Sequence, residues 1–339
     1  MQFNLADVFG SDIFNAVSLT DSINKLPNKP SKLGDMGLFA SNPTNTTTAV
    51  IEERQGVLSL IQTSARGTRG VEMKHAKRKA RAFVIPHIAA FDQVLAAEVQ
   101  GIREFGASVE SLETVAMKVA LRLQTMKDSI DLTKEWHRVG AIQGLILDAD
   151  GTSVIYDLFA EFGITRDSHQ FDFGATPTTD IKVTAQVVTR NMIKNLGGTP
   201  FTGIQAICGD NFWDGFISSP SVKEAYKNYA SNTMLQQQQR NGFMFADIYW
   251  MNYTGYVGTG GSTNIVPTEE AQFFPIGAGS IMQEILAPAD TTAAVNTLGL
   301  PYYASQEILP HDKGIDMEAQ SNPLYMVTRP ACLIQGTHN

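Results

Sequence analysis

The stretch SVESLETVAMKVALRLQTMKDSIDLTKEWHRV, residues 108–139, contains neither glycine nor proline, the two residues that most disfavour a helix interior. Ser108 suits the N-cap, Glu110 lies where the helix dipole favours an acid, and Gly140 is expected to end the helix. Such a helix would be roughly 45–50 Å long at 1.5 Å per residue. Spacings of three and four place seven apolar residues on one helix face: Val109, Leu112, Ala116, Val119, Leu123, Met126 and Ile130.

A coiled-coil dimerisation helix is the alternative, because the early spacing fits an a/d heptad. The apolar a/d pattern stops at Thr133 and His137, which are polar, and the next apolar residues, Trp136 and Val139, lie out of its register. Since the rest of the chain looks mostly non-helical, we favour a spine helix on which sheets are laid.

Composition bounds the class of protein. The chain has 339 residues, 43% of them apolar, which allows two or three lobes with a proper core and excludes global disorder. Its net charge of −8 argues against a dedicated nucleic-acid binder. Cys208 and Cys332 lie far apart in apolar runs and are expected to be buried thiols. With no signal-peptide core and no apolar run of membrane-spanning length, we expect a soluble protein made in the cytoplasm.

Two β-rich runs, residues 49–61 and 82–88, flank a strongly basic segment. Residues 64–81 hold one acid, Glu72, so 19 of the 26 basic and 33 of the 34 acidic residues lie elsewhere. The seven basic residues of the segment are Arg66, Arg69, Lys74, Lys77, Arg78, Lys79 and Arg81. We predict a two-stranded flap with a basic tip, which needs a partner surface because isolated hairpins are marginally stable. Its complement would be an acidic surface on another copy of the chain.

Nucleic-acid binding or a nuclear signal is the other interpretation of this basic segment. The segment lacks the interleaved aromatic residues that stack on bases, so direct nucleic-acid recognition is disfavoured. Sequence-independent contact with phosphates stays open.

The other segments suggest an arm and a mixed lobe. Residues 1–48 are polar and turn-rich, with apolar residues that favour an arm lying on another surface. After the spine, Asp150-Gly151 predicts a hairpin within residues 144–159. Thr179 or Asp180 should cap a helix ending at Gly197, and Asp210 a shorter one. A polar, proline-punctuated stretch runs to residue 322, and residues 324–335 close the chain as strands interrupted at Pro330.

One constellation resembles catalytic chemistry. Residues 145–152, LILDADGT, resemble the first motif of haloacid-dehalogenase-type phosphatases, in which the first aspartate is the nucleophile. Residues 209–214, GDNFWD, resemble the last motif of that family, whose carboxylates hold Mg²⁺, and Lys194 lies between the two. The motif follows a long helix midway along the chain, however, and about sixty residues are little room for the intervening strand–helix units. This phosphatase is our alternative function.

The order of several segments is similar to that of a tailed-bacteriophage major capsid protein of the lambda-like E family. The segments, in chain order, are residues 19–27 (LTDSINKLP), 47–61, 144–158, 274–277 (FPIG) and 322–325 (NPLY). No single segment is decisive, but their order and spacing together are specific. The chain is therefore identified as a member of this family.

The resemblance implies the Hong Kong 97-type capsid fold, of class α+β, with no catalytic, metal or cofactor site. The implied divisions are an N-terminal arm (1–48), an extended loop (49–95), a peripheral domain with spine helix and hairpin (96–160), an axial domain (161–310) and C-terminal strands (311–339). Pentamers and hexamers would form an icosahedral shell in the virion, assembled in the host cytoplasm. Implied partners are a scaffold or protease, a portal and packaged double-stranded DNA, with a decoration protein as a further candidate; no membrane is involved.

Overall fold

The computed structural model describes residues 19–20, 23–24, 32–54, 78–100, 115–174, 177, 179–229, 242–257, 263–279 and 281–338. The helices in these residues are α1 Lys32–Asp35, α2 Ala96–Val99, α3 Val115–Gln143, α4 Leu158–Phe162, α5 Ile181–Leu196, α6 Asp210–Ser218 and α7 Pro220–Tyr229. The first nine strands are β1 Ala40–Pro43, β2 Thr48–Arg54, β3 Arg78–Val84, β4 Ile88–Leu95, β5 Leu145–Leu147, β6 Val154–Asp157, β7 Asp167–Phe171, β8 Gly203–Cys208 and β9 Phe243–Phe245. The remaining strands are β10 Ile248–Asn252, β11 Tyr256–Val257, β12 Thr263–Asn264, β13 Glu270–Ile276, β14 Met282–Leu286, β15 Tyr303–Ile308, β16 Gly314–Ser321, β17 Pro323–Val327 and β18 Ile334–His338.

The spine helix is present as α3, and its 29 described residues make it the longest of these elements. Four residues of the predicted stripe are buried: Val119, Leu123, Met126 and Ile130. They pack against residues of its own chain, including Val94, Ile315 and Met317, so the stripe forms an internal core. Ala116 is exposed. The predicted N-cap Ser108, with Val109, Glu110 and Leu112, lies outside the described residues.

The predicted end of the spine helix at Gly140 is wrong. The helix continues to Gln143, and Gly144 ends it with a left-handed φ of +78°. Gly140 has a packing role instead, because a Cβ there would lie 3.0 Å from the carbonyl oxygen of Leu145 and 3.1 Å from Cα of Ile146. The chain can therefore fold back tightly along the helix into β5.

Gly144→Ala is expected to destabilise the fold more than Gly151→Ala does. Both glycines have a positive φ, +78° and +71°, which costs an L-residue about 1–2 kcal/mol. A Cβ at Gly144 would also lie 2.2 Å from Cε2 of Phe159, whereas a Cβ at Gly151 meets no atom within 4 Å. Urea denaturation of the two variants measures the difference, and equal losses would contradict this packing argument.

Beside the spine helix lies a three-stranded antiparallel sheet in the order β15-β16-β4. Strand β16 pairs with β4 from Gly314 opposite Leu95 to Ser321 opposite Ile88. The polar, proline-punctuated stretch up to residue 322 contains strands β14, β15 and β16. Alternate residues of β16 face the helix and are buried, while Asp316 and Glu318 lie between them. The expected boundary between the axial domain (161–310) and the C-terminal strands (311–339) lies in the turn between β15 and β16.

The largest sheet has six strands in the order β7-β18-β13-β8-β10-β9 and encloses an aromatic core around Trp250. The predicted helix before it is confirmed as α5, with the Asp180 carboxylate accepting from the backbone N–H of Lys182 and Gly197 in the left-handed conformation. The predicted cap at Asp210 is wrong by one residue. Gly209 is the N-cap of α6. Only glycine fits there without a shift, since a Cβ would lie 2.1 Å from the carbonyl oxygen of Pro267.

A third sheet has the strand order β1-β14-β17, and its strand β17 contacts the spine helix. The closing strands are confirmed, with a 3₁₀ turn at Pro330–Cys332 between them. They belong to different sheets, β17 pairing with β14 and β18 with β13 and β7. Both cysteines are buried thiols, as predicted. No helix in the described ranges is long and apolar enough to cross a membrane.

Candidate intersubunit interface

The root of the basic flap is an antiparallel pair of strands, as predicted. Strands β2 and β3 pair from Thr48 opposite Val84 to Arg54 opposite Arg78, with Glu53 opposite Lys79. Of the seven predicted contact residues, Arg66, Arg69, Lys74 and Lys77 lie outside the described residues. The structure places Arg78, Lys79 and Arg81 on β3, at the root of the flap.

The two faces of the flap root differ. Ala49, Ile51 and Phe83 alternate on one face and are buried in the main core. Val50 and Val84 lie on the other face and are 64% and 65% exposed. A strand pair with one buried face and one exposed apolar face has a surface available for another chain.

Aromatic contacts hold the flap root to the post-spine hairpin β5–β6, whose predicted pairing is confirmed. The ring of Phe83 lies 5.3 Å from that of Tyr156 and 6.4 Å from that of Phe162. The Tyr156 hydroxyl donates to the carbonyl oxygen of Val84 at 2.8 Å. The guanidinium of Arg81 lies 4.6 Å from the centre of the Phe162 ring, so Arg81 has a partner within its own chain.

The second half of the spine helix carries several buried charged side chains. The Glu135 carboxylate accepts hydrogen bonds from the backbone N–H groups of Leu33 and Gly34, from the Tyr253 hydroxyl and from Arg138. One carboxylate thereby connects helix α3 to helix α1 and to the residue that follows β10. Burial and the adjacent Glu135 charge raise the pKa of Tyr253, which keeps this hydroxyl a hydrogen-bond donor.

A neighbouring group centres on Glu284 of β14. Its carboxylate lies 3.8 Å from Nζ of Lys134 and 3.9 Å from Nη2 of Arg138, and it accepts from the Tyr325 hydroxyl at 2.6 Å. Burial lowers the pKa of Lys134 to about 8, and Glu284 only partly offsets this effect. These charges face inward and join elements of one chain, so they are not available to a partner.

The outer face of the β15-β16-β4 sheet, the face away from the spine helix, is acidic. Asp316 lies between Gln93 and Glu307 in the register, and Glu318 lies between Phe91 and Ser305. Glu307 is exposed, and Phe91 is 64% exposed. We call Glu307, Asp316, Glu318 and Phe91 the acidic face. Sequence reasoning missed this surface, although the alternation of residues 315–319, IDMEA, is a signal for a half-buried strand.

The aspartates of the phosphatase alternative have structural partners. Asp150 accepts from the backbone N–H groups of Thr152 and Ser153 and from the Ser153 hydroxyl, which together hold its pKa well below the usual range. Asp210 accepts from the side-chain amide of Asn252 at 3.0 Å.

Among the described residues, the one group of three potential metal ligands contains neither these aspartates nor Asp148 or Asp214. Residues 148–151 form the hairpin turn, and the predicted nucleophile Asp148 accepts from the N–H of Ala149. The comparisons with known proteins give the phosphatase no support.

A sequence model described as phage major capsid protein E matches residues 15–338. The major capsid protein of Pseudomonas phage KPP10 is 27% identical over 342 aligned residues, covering 95% of this chain and 96% of that protein. The major capsid protein of Salmonella phage Felix O1 is 24% identical, covering 95% of each.

Two solved structures have a similar fold. A protein assigned as a prophage capsid protein of E. coli CFT073 has a TM-score of 0.57 and 12% identity, covering 96% of this chain and 99% of that chain. The mature capsid of bacteriophage PhiM1 contains a chain with a TM-score of 0.54 and 11% identity, covering 93% of this chain and 89% of that one.

Proposed function

Because the chain belongs to the phage major capsid protein E family, we propose that it assembles as pentamers and hexamers into the icosahedral head of a phage. The family expected from the sequence and the Hong Kong 97-type fold are both confirmed. The protein is thus a phage major capsid protein, and its place is in the virion. The arrangement of subunits and the contacts between them form the proposal.

The segregation of charge supports contact between the flap and a neighbouring subunit. Seven of the 26 basic residues lie within residues 64–81, whereas the rest of the chain is strongly acidic. Of these seven, Arg81 anchors the flap root on the Phe162 ring of its own chain. A basic segment whose root is held by aromatic contacts is suited to lie across an acidic surface of the next copy.

The acidic face is the surface that fits this flap best. Its register places Glu307, Asp316 and Glu318 on the same face as the exposed side chain of Phe91. We propose that the flap of one subunit lies on the acidic face of its neighbour. Each exposed ion pair adds about 0–1 kcal/mol, so the contact gains strength from repetition over a closed shell and stays reversible during assembly.

Other partners follow from a role in the phage head. A scaffold or protease would act during assembly in the host cytoplasm, a portal would occupy one vertex, and a decoration protein is a candidate for the exterior. Packaged double-stranded DNA would be contacted without sequence preference. No catalytic role is proposed, because the capsid proteins that the chain resembles are structural.

Reversing the charge of the flap is expected to abolish shell formation. The triple variant Lys77→Glu, Arg78→Glu and Lys79→Glu should remain monomeric or form only small oligomers, because three attractions to the acidic face become repulsions. Light scattering after size exclusion, with negative-stain imaging of the heaviest fraction, distinguishes shells and rings from the 37.0 kDa monomer.

The matched control makes the same change in net charge elsewhere. Lys182, Arg190 and Lys223 are exposed on α5 and α7, and their reversal should leave assembly intact. Adding Glu307→Lys, Asp316→Lys and Glu318→Lys to the flap variant should restore part of the assembly. A flap variant that forms normal shells would refute the proposed contact. If the shells then retain less DNA, the basic residues face the genome instead.

A further inference from the structure

Three segments that are distant in sequence bring metal-binding side chains together at one end of the acidic face. His87 lies between β3 and β4, Asp290 follows β14, and Glu318 is in β16. One ligand atom from each lies within 4.8 Å of the other two. Within the described part of the chain, no other three His, Cys, Asp or Glu side chains meet in this way.

The imidazole of His87 is oriented by a buried amide. Its Nδ1 lies 2.8 Å from Oδ1 of Asn322, while Nδ2 of Asn322 donates to the carbonyl oxygen of Pro288 at 2.9 Å. Since the Asn322 oxygen can only accept, Nδ1 of His87 is the donor and Nε2 carries the lone pair. A ligating histidine is commonly oriented in this way, with one nitrogen donating to an oxygen and the other free to bind a metal.

A second, independent observation is the side chain of Gln320. This residue is 2% exposed, and its Nε2 donates to Oδ1 of Asp290 at 3.1 Å. Its Oε1 is buried and accepts no hydrogen bond from the described residues. A buried amide oxygen without a donor is rare in folded proteins and indicates an additional ion or water. Because both atoms belong to one amide, the unsatisfied oxygen lies beside the Asp290 carboxylate.

The local charge favours a cation. Neither Asp290 nor Glu318 forms an ion pair with a lysine or arginine of the described chain. Two carboxylates held close together without a counter-ion repel each other, and a bound cation would remove this repulsion.

We propose that His87, Asp290 and Glu318 bind a divalent cation of the zinc class, with Gln320 Oε1 as an adjacent amide ligand. Imidazole suits zinc better than it suits magnesium or calcium, which prefer oxygen ligands alone. Three protein ligands and one further oxygen complete a tetrahedral zinc site. The ion would tie the start of β4 to the loop after β14 and to β16. This site does not depend on the proposed contact between flap and acidic face.

The proposal is tested by titrating ZnCl₂ into the untagged full-length chain, after chelator treatment and dialysis, by isothermal calorimetry. One ion per chain should bind. Glu318→Gln and His87→Asn should each weaken the zinc affinity at least about tenfold. Loss of a residue that only supports a ligand already weakens metal affinity by about 10–100-fold, and loss of the ligand itself should cost no less. The control is Glu307→Gln, which removes one charge from the same sheet face and should leave the affinity within about twofold.

Thermal unfolding with and without ZnCl₂ provides a second measurement on the same proteins and shows that each variant folds. Zinc should raise the midpoint of the wild type and of Glu307→Gln, and should raise that of Glu318→Gln less at the same zinc concentration. Absence of saturable binding to the folded wild type would overturn the proposal. Equal zinc affinity in Glu318→Gln and Glu307→Gln would overturn it as well, because the ion would then bind elsewhere.

Discussion

Replacement of Glu135 by leucine is expected to lower the free energy of unfolding by about 3–5 kcal/mol. The carboxylate is buried, and it accepts from the backbone N–H of Leu33 at 2.8 Å and from the Tyr253 hydroxyl at 2.8 Å. Leucine has a similar volume and accepts no hydrogen bond. The variant therefore leaves several buried donors unsatisfied and removes the nearest negative charge from Arg138, which lies 3.3 Å away.

The control for this variant is Glu98→Leu, which also removes a carboxylate paired with an arginine. Glu98 lies 3.3 Å from Nη2 of Arg122, and both side chains are more than a third exposed. Its loss should cost about 0–1 kcal/mol, because water solvates the remaining charge. Urea denaturation at equilibrium gives both values. A similar loss for the two variants would mean that the buried hydrogen bonds of Glu135 add nothing to stability.

Glu135 also shows where sequence reasoning stops. The apolar period of three and four identifies the stripe through Ile130, which packs on a single sheet. The helix also contacts β13 and β17, which belong to two other sheets, and Lys134, Glu135 and His137 are buried on its sides. Partners such as Glu284 and Tyr253 lie more than a hundred residues away, so no local pattern predicts their pairing with the helix.

Local sequence signals were sufficient to predict elements whose contacts lie close together in the sequence. Asp180 and Gly197 define helix α5 from both ends, and Asp150-Gly151 defines the hairpin β5–β6. The acidic face depends on the pairing of β16 with β4, more than two hundred residues earlier in the chain. The basic flap was therefore predictable as a charged segment, whereas its proposed acceptor surface became visible only in the fold.

Substitutions at two adjacent residues of β3, Phe83 and Val84, are expected to affect stability and assembly differently. Phe83 is 1% exposed and packs on Tyr156 and Phe162, whereas Val84 points to the opposite side and is 65% exposed. Phe83→Ala removes the ring that fixes the flap root to the hairpin. It should cost about 3–5 kcal/mol, the usual range for truncation of a buried phenylalanine.

Val84→Ala should change the free energy of unfolding by no more than about 0.5 kcal/mol, because the side chain is already in water. If the outer face of the flap root contacts a neighbouring subunit, this variant should nevertheless assemble at a higher protein concentration than the wild type. Phe83→Ala should impair both properties, since a flap with a loosened root meets its neighbour in many orientations. Denaturation of the monomer and light scattering across a concentration series measure the two effects separately. Normal assembly of Phe83→Ala, despite its loss of stability, would show that the flap needs no rigid root to find its partner.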